Sequence, residues 1–347
     1  MKQFIYTVLT LSLLFSCGKT TEEDAIEPTP DSSTLFTVET LTGFDNIEGF
    51  DVTGIRSMVF DSKDNLYFTA DGSINVFKMS PDGTMTTLPY SSEDIFKFDR
   101  PSNLFMGAND ELCITGYYQK ADVLYFSYKE GGEIEAVPNP FAGPDDFYSL
   151  ISFLSSDEAG NNILGYNSSV YKAEGTNWVK IMDDIELRGF QTEGNIFATG
   201  GGRNYFKLVW SEALMNDAVL AYFDANNQKV YVHSETFSFG DETAFNYGDG
   251  KLPEAFIDEV SLLTANAEGD LYFFDEIDLS GRVRLRKLTM DGQLSTLAGG
   301  LIIDSNVDGT GSEAGFQYLS AMAINSKGEI YISCSDGLRL AKEASSN

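Results

Sequence analysis

The sequence predicts an all-β fold, a six-bladed β-propeller with seven blades as the alternative count, and three observations predict it. One phrase recurs along the chain: an apolar run, a polar turn holding Asp, Asn or Gly, then Leu or Ile, Tyr and another apolar residue. The clearest copies extend to four strand-like runs, the number in a propeller blade. The composition agrees: 32 glycines and 13% aromatic residues punctuate runs of Val, Ile, Tyr, Phe and Thr. Such side chains fit a pleated, half-buried surface.

The phrase appears as MVFDSKDNLYF (58–68), LFMGANDELCI (104–114), FLSSDEAGNNIL (153–164), FQTEGNIFA (190–198), AYFDANNQKVYV (221–232), LTANAEGDLYF (263–273) and AINSKGEIYI (323–332). Each copy is two short runs joined by a hairpin turn, and a recurring unit of this length signals a propeller or solenoid. Residues 73–88 and 282–297 add a strand, an Asp-Gly turn and a further strand. The blades are expected at 55–89, 102–137, 150–182, 187–234, 259–297, and 319–341 joined by 35–41. Seven phrases exist, but spacings around 163, 196 and 230 are tight for three full blades, so 187–234 reads as one irregular blade. The last unit stops after Gly337-Leu338-Arg339-Leu340 without a fourth strand, and LFTVETLTGF (35–44) matches the missing piece. The N-terminal strand is therefore expected to complete the last blade, which removes free sheet edges.

The linkers repeat as well. Residues 298–325 and 248–265 share Asp-Gly, Glu-Ala and Phe in the same order. With DG-x-G-x-x-A-x-F, a strand, G-x-hydrophobic-Tyr, Arg-hydrophobic-Arg-Lys, and TLAG, the chain resembles the NHL-repeat family. The resemblance is strongest over 245–341, fair over 35–90 and weak over 140–235. It implies a propeller whose loops between second and third strands share a ligand-bearing face with the interblade linkers.

Residues 1–17 read MKQFIYTVLTLSLLFSC. A short positive start precedes an apolar stretch, Phe4–Phe15, that is shorter than the ~20 residues a spanning helix needs. Leu14-Phe15-Ser16-Cys17 looks like a lipobox, in which Cys17 offers the thiol for lipid attachment and small Ser16 fits the peptidase. The expected division is a signal peptide at 1–16, lipidated Cys17 with an acidic disordered tether at 17–34, an NHL-like propeller at 35–342 and a tail at 343–347. The tether carries Glu22, Glu23, Asp24, Glu27 and Asp31, which resembles the export signal of surface lipoproteins of Bacteroidota-type bacteria. An outer-membrane, lipid-anchored, surface-exposed location is the expectation, with the membrane engaged through the anchor only.

The net charge is −30, from 53 acidic against 23 basic residues. A surface of that sign repels phosphate backbones and excludes nucleic acid as a partner. Cys113 and Cys334 fall in strand-like runs of non-adjacent blades, so two buried thiols are expected rather than a disulfide.

Candidate chemistry is sparse. His233 is the only histidine, which leaves no set for a multi-histidine zinc centre, and no nucleophile motif accompanies it. Asp304-Ser-Asn306-Val-Asp308-Gly309 opens like a calcium loop, yet its twelfth position is Gly315 instead of Glu. The repeated linker accounts for Asp308-Gly309 equally well, so a calcium site at Asp304, Asn306 and Asp308 and a purely structural turn both stay open. The loops after second strands carry Asp71, Asp122, Asp275, Glu276, Asp278 and Asp336, with Tyr117 and Tyr118 beside them. Carboxylates that accept sugar hydroxyls next to rings that stack on sugar C–H faces make a carbohydrate site. An Asp at that point is also a turn residue in its own right. Trp178 and Trp210 are expected in the core.

Three functions follow in order. The first is a monomeric, non-catalytic binding module for a glycan or an envelope protein partner. The second is an assembly scaffold of the envelope, and the third a metal-assisted lactonase or lyase on the propeller channel.

Overall fold

Middle strands of this chain are apolar on both faces, and that feature dictates how its sheets are arranged. All five residues of Leu66–Ala70 are buried, as are five of six in Val123–Tyr128. A strand with no wet face must be covered by a sheet on each side. The computed structural model describes residues 35–42, 52–91, 100–117, 120, 122–142, 151–156, 161–166, 169–175, 177–182, 197–207, 218–223, 229–233, 248–277, 282–303 and 305–345. Cys17, Tyr118, Trp210, Asp278 and Asp304 lie outside the described residues. No helix among the described residues is long and apolar enough to cross a membrane.

The described strands form six antiparallel sheets. The first holds Ile55–Phe60, Leu66–Ala70, Val76–Met79 and Met85–Thr87. The second runs from Arg100–Met106 through Leu112–Tyr117 and Val123–Tyr128 to Glu135–Pro138. The third contains Ile151–Ser156, Asn162–Tyr166, Ser169–Glu174 and Asn177–Met182. The fourth contains Phe197–Gly200, Arg203–Lys207, Ala218–Phe223 and Lys229–His233. In the fifth, Glu259–Ala265, Leu271–Ile277, Arg282–Leu288 and Gln293–Ile303 are joined by the two-residue strand Gly250–Lys251. The last comprises Ala321–Ile324, Ile330–Cys334, Gly337–Glu343, Phe36–Thr40 and Gly309–Thr310.

The first strands of the sheets touch one another in a cycle. Ile55–Phe60 meets Arg100–Met106, and the contacts pass through Ile151–Ser156, Phe197–Gly200, Glu259–Ala265 and Ala321–Ile324 back to Ile55–Phe60. The core is accordingly divided into layers between neighbouring sheets. Phe68, Phe77, Ala321 and Leu338 belong to the layer between the last sheet and the first. Phe36, Tyr272, Phe274 and Phe316 belong to the one between the fifth and the last. Each buried aromatic side chain contributes about 1.5–3 kcal/mol relative to an exposed one.

The N-terminal strand does join the last sheet. Phe36–Thr40 pairs antiparallel with residues 339–343, and the Ala344 amide adds a bond to the Leu35 carbonyl at 2.8 Å. Two sheets gain a fifth strand that the four-strand expectation omits. In each, the linker after Asp249 or Asp308 lies alongside the outermost strand before crossing to the innermost one. Gly299 shows why the linker region is glycine-rich: it sits at φ 86°, and a Cβ there would lie 2.4 Å from the Val283 carbonyl and 2.9 Å from the Phe316 ring.

Candidate functional site

Because the strands of each sheet alternate in direction, the start of the first strand, the turn between second and third, and the end of the fourth share one edge. The linkers cross between sheets there, and it is termed the linker edge. The other, or hairpin, edge carries the first–second and third–fourth turns.

At the hairpin edge Asp64, Asp110 and Glu130 join neighbouring sheets, while Asp82 and Asp291 stay exposed in third–fourth turns. Asp110 accepts the Ser62 amide at 2.9 Å, and Asp64 accepts the Ser326 amide and hydroxyl at 2.8 and 2.7 Å. Asp64 and Asp110 adopt φ near 60° and 56°, a left-handed conformation that Asp tolerates. Glu130 takes hydrogen bonds from Lys63 and Lys78, and these hold its pKa down at about 2.

At the linker edge the acids face solvent. Asp71 follows the second strand of the first sheet and pairs with Arg56, its side chain half exposed. Asp122, Glu276 and Asp336 are exposed at the corresponding places of the second, fifth and last sheets. Tyr117 ends the second strand of the second sheet, and its side chain, like Tyr118, lies outside the described residues. Among the described residues the exposed large hydrophobics are Ile74, Val179, Leu301, Val307 and Tyr318. All except Val179 belong to turns, strand ends or linkers of this edge.

Asp275 departs from the expected ligand-facing set. It is fully buried, on the same face of Leu271–Ile277 as Leu271 and Phe273. Its Oδ2 accepts Arg284 at 2.7 Å and Arg286 at 2.6 Å, and its Oδ1 accepts the Asp258 amide at 2.9 Å. Burial and the neighbouring Arg286 pull Arg284 down to about 10 against the attraction of Asp275. A ligand would have to break two buried ion pairs to reach this carboxylate.

The residues of the calcium-like opening also have structural partners. Asn306 Oδ1 accepts the Gln317 amide at 2.7 Å. Asp308 accepts the Thr40 amide and hydroxyl at 2.9 Å each, and Arg339 donates to it at 2.8 Å. Burial works against ionisation of Asp308, but the Thr40 and Arg339 hydrogen bonds outweigh it and lower the pKa. The same clasp occurs one sheet earlier. Asp249 accepts the Thr296 amide and hydroxyl at 2.8 and 2.7 Å and Arg286 at 2.7 Å. Arg286 donates to the Phe256 carbonyl as Arg339 does to that of Gly315, both at 2.6 Å. Asp308-Gly309 is thus the second copy of a structural unit, which accounts for those two residues of the D-x-N-x-D-G pattern, while Asp304 lies outside the described residues. Among the described residues no group of three or more His, Cys, Asp or Glu side chains is placed to hold a metal ion.

A cleft of about 310 Å³ separates the fourth and fifth sheets and is lined by Arg203, Tyr205, Tyr222, Val232, Leu252 and Met290, among others. Sequence spacing gives no hint of it, since it forms where one sheet's outer strands meet the other's hairpin. Its polar groups tie the sheets together. Arg203 lies 4.3 Å from the Tyr222 ring and donates to the Met290 carbonyl, while the Tyr205 hydroxyl donates to the Gly269 carbonyl at 2.9 Å. The cleft is a joint between sheets.

The remaining candidates are simpler. Cys113 and Cys334 are buried free thiols in the second and last sheets. Burial raises both, Cys113 well above its ordinary value and Cys334 to about 12, so neither is a ready nucleophile. Trp178 packs, partly buried, on the core between the second and third sheets. His233 ends a strand of the fourth sheet, and its side chain lies outside the described residues. Tyr318, 72% exposed, is the prominent residue that sequence reasoning missed. Nothing in the pattern separates it from the other 16 of the chain's 17 tyrosines.

No family model matches the chain, and no curated protein matches it in sequence. Solved structures do resemble it. An auxiliary nutrient binding protein from Bacteroides thetaiotaomicron superposes with a TM-score of 0.58 at 16% identity, over 89% of this chain and 77% of that one. A gluconolactonase from Xanthomonas campestris gives 0.53 at 11%, over 85% and 87%. Virginiamycin B lyase from Staphylococcus aureus gives 0.51 at 12%, over 88% and 99%. These neighbours are β-propellers, and the likeness shows that fold for this chain: all-β, built of antiparallel sheets, with almost no helix among the described residues.

Proposed function

We propose that this chain is a six-bladed, NHL-type propeller acting as a non-catalytic binding module, anchored through Cys17 at the outer membrane, and that it captures a neutral glycan on its linker edge. One observation carries the reading. Among the described residues, the linker edge presents exposed carboxylates from four sheets together with four of the five exposed large hydrophobic side chains. Apolar side chains exposed together beside polar groups mark a binding surface. The net charge of −30 favours an uncharged ligand over an acidic polysaccharide. The nutrient-binding neighbour is consistent with capture, although the lyase and lactonase neighbours show that the fold also hosts catalysis.

The test is affinity electrophoresis of the protein through gels containing single neutral polysaccharides, with and without EDTA. Retardation by at least one of them, unchanged by EDTA, is expected. Loss of retardation in EDTA would place a bridging cation in the site, and absence of retardation in every gel would refute glycan capture.

A further inference from the structure

Tyr318 stands out from the repeat that surrounds it. The fifth and last sheets can be aligned through their clasps, Phe256 with Gly315, Asp258 with Gln317, Asn266 with Asn325. Tyr318 then occupies the place of Glu259, an exposed residue at the start of the innermost strand. The fold therefore asks for no aromatic ring at this point, yet Tyr318 supplies one and leaves it 72% exposed.

The backbone beneath the ring is held on both sides. Before it, the Gln317 amide is bound by Asn306. After it, the Ser320 amide donates to the Ser333 carbonyl at 3.1 Å, and the two serine hydroxyls lie 2.9 Å apart. Tyr318 itself sits at φ 50°, a left-handed conformation that a bulky residue adopts only where its surroundings enforce it. Such strain concentrates at ligand clamps. Groups that match sugar hydroxyls are linked to this backbone. Asn306, which holds the Gln317 amide, reaches with its amide nitrogen toward the Ser335 hydroxyl at 3.4 Å, and Ser335 and Asp336 are both exposed in the second–third turn of the last sheet.

We infer that Tyr318 is the stacking platform of a neutral-saccharide subsite on the last sheet, with Asn306, Ser335 and Asp336 as its polar rim. The assignment rests on the binding reading above and specifies its site. A rigid exposed ring takes the C–H face of a pyranose at little conformational cost, while the amide, hydroxyl and carboxylate exchange hydrogen bonds with its edge.

The test uses the full chain and its Tyr318→Ala and Tyr318→Phe variants in gels containing a neutral α-glucan, a β-mannan or a β-xylan. Val179→Ala, away from the linker edge, serves as control, and circular dichroism confirms that each variant folds. In the gel that retards the wild type, Tyr318→Ala is expected to bind roughly tenfold more weakly and Tyr318→Phe within about twofold of wild type. Retardation of Tyr318→Ala equal to wild type overturns the platform and leaves glycan capture standing. A Tyr318→Phe as weak as Tyr318→Ala overturns stacking in favour of the hydroxyl. Failure of all three polysaccharides to retard the wild type overturns both the platform and the reading it rests on.

Discussion

The fifth and last sheets carry the same clasp around different interiors. In the fifth, Asp249, Arg286 and Thr296 come from one stretch of fewer than fifty residues. In the last, Thr40 meets Asp308 across 268 residues, so the same unit fastens the two ends of the domain. Behind the clasp, the fifth sheet buries Asp275 between Arg284 and Arg286, and the last sheet has Cys334 and Gly337 at the corresponding places. The capped amide differs accordingly: Asp275 holds Asp258 from inside the sheet, while Asn306 holds Gln317 from the linker. A repeat can thus keep one polar unit fixed and shift the neighbouring one from core to surface, which frees surface positions such as Tyr318 for another use.

The largest effect is expected where charge is buried. Asp275→Asn removes the carboxylate shared by two fully buried guanidinium groups and should cost ~3–5 kcal/mol in denaturant unfolding. A loss below ~1 kcal/mol would mean that the fifth sheet does not depend on its interior ion pairs in the way described. The clasps come next. Asp249→Asn should destabilise more than Asp308→Asn, since the Asp249 side chain is 20% exposed and that of Asp308 is 49%. Their signatures should also differ. Hydrogen exchange at residues 36–40 should quicken in Asp308→Asn and stay unchanged in Asp249→Asn, and the reverse pattern would break the comparison.

A smaller effect is expected from pH. The Asp308 pKa is lowered on folding, so its contribution is complete above the ordinary carboxylate value of 3.8 and is lost as pH falls through the lower folded value. The melting-temperature gap between wild type and Asp308→Asn should therefore be full above about pH 4 and narrow progressively as pH falls below it. Parallel curves at all pH values would show that Asp308 is not the titrating group. The smallest change belongs to Glu39→Gln, which breaks a half-exposed bridge to Lys342 and should shift stability by less than ~1 kcal/mol.

Much of this architecture can be read from particular residues. The hairpin phrase is legible where its turn residue carries a side-chain acceptor, as in the first, fifth and last sheets. Asp61, Asn266 and Asn325 each accept the main-chain amide four positions on, and the apolar Leu or Ile that follows is buried. The repeated Asp-Gly, Glu-Ala and Phe of the linkers is legible for the same reason, since the clasp needs its Asp and the close approach of Phe316 needs Gly299. The fate of Asp275 was not. Whether an Asp at the end of a second strand faces solvent or the core depends on the third strand's arginines, which only the pairing of Asp275 with Arg284 brings opposite it. Asn306 and Asp308 look like ion ligands in a linear pattern because each offers a side-chain oxygen, and in the fold those oxygens accept the main-chain amides of Gln317 and Thr40. Tyr318 gave no signal at all, because exposure is a property of what packs nearby.

The central claim is that ligand meets the linker edge, and carboxylate footprinting tests it most directly. The protein is labelled with a carbodiimide, with and without the polysaccharide that retards it, and modified residues are read by mass spectrometry. Protection at Asp71, Asp122 and Asp336, with Asp82 and Asp291 in the exposed third–fourth turns of the hairpin edge labelled as before, is the predicted result. Protection of Asp82 and Asp291 with Asp71, Asp122 and Asp336 unchanged would place the ligand on the opposite edge and contradict the account.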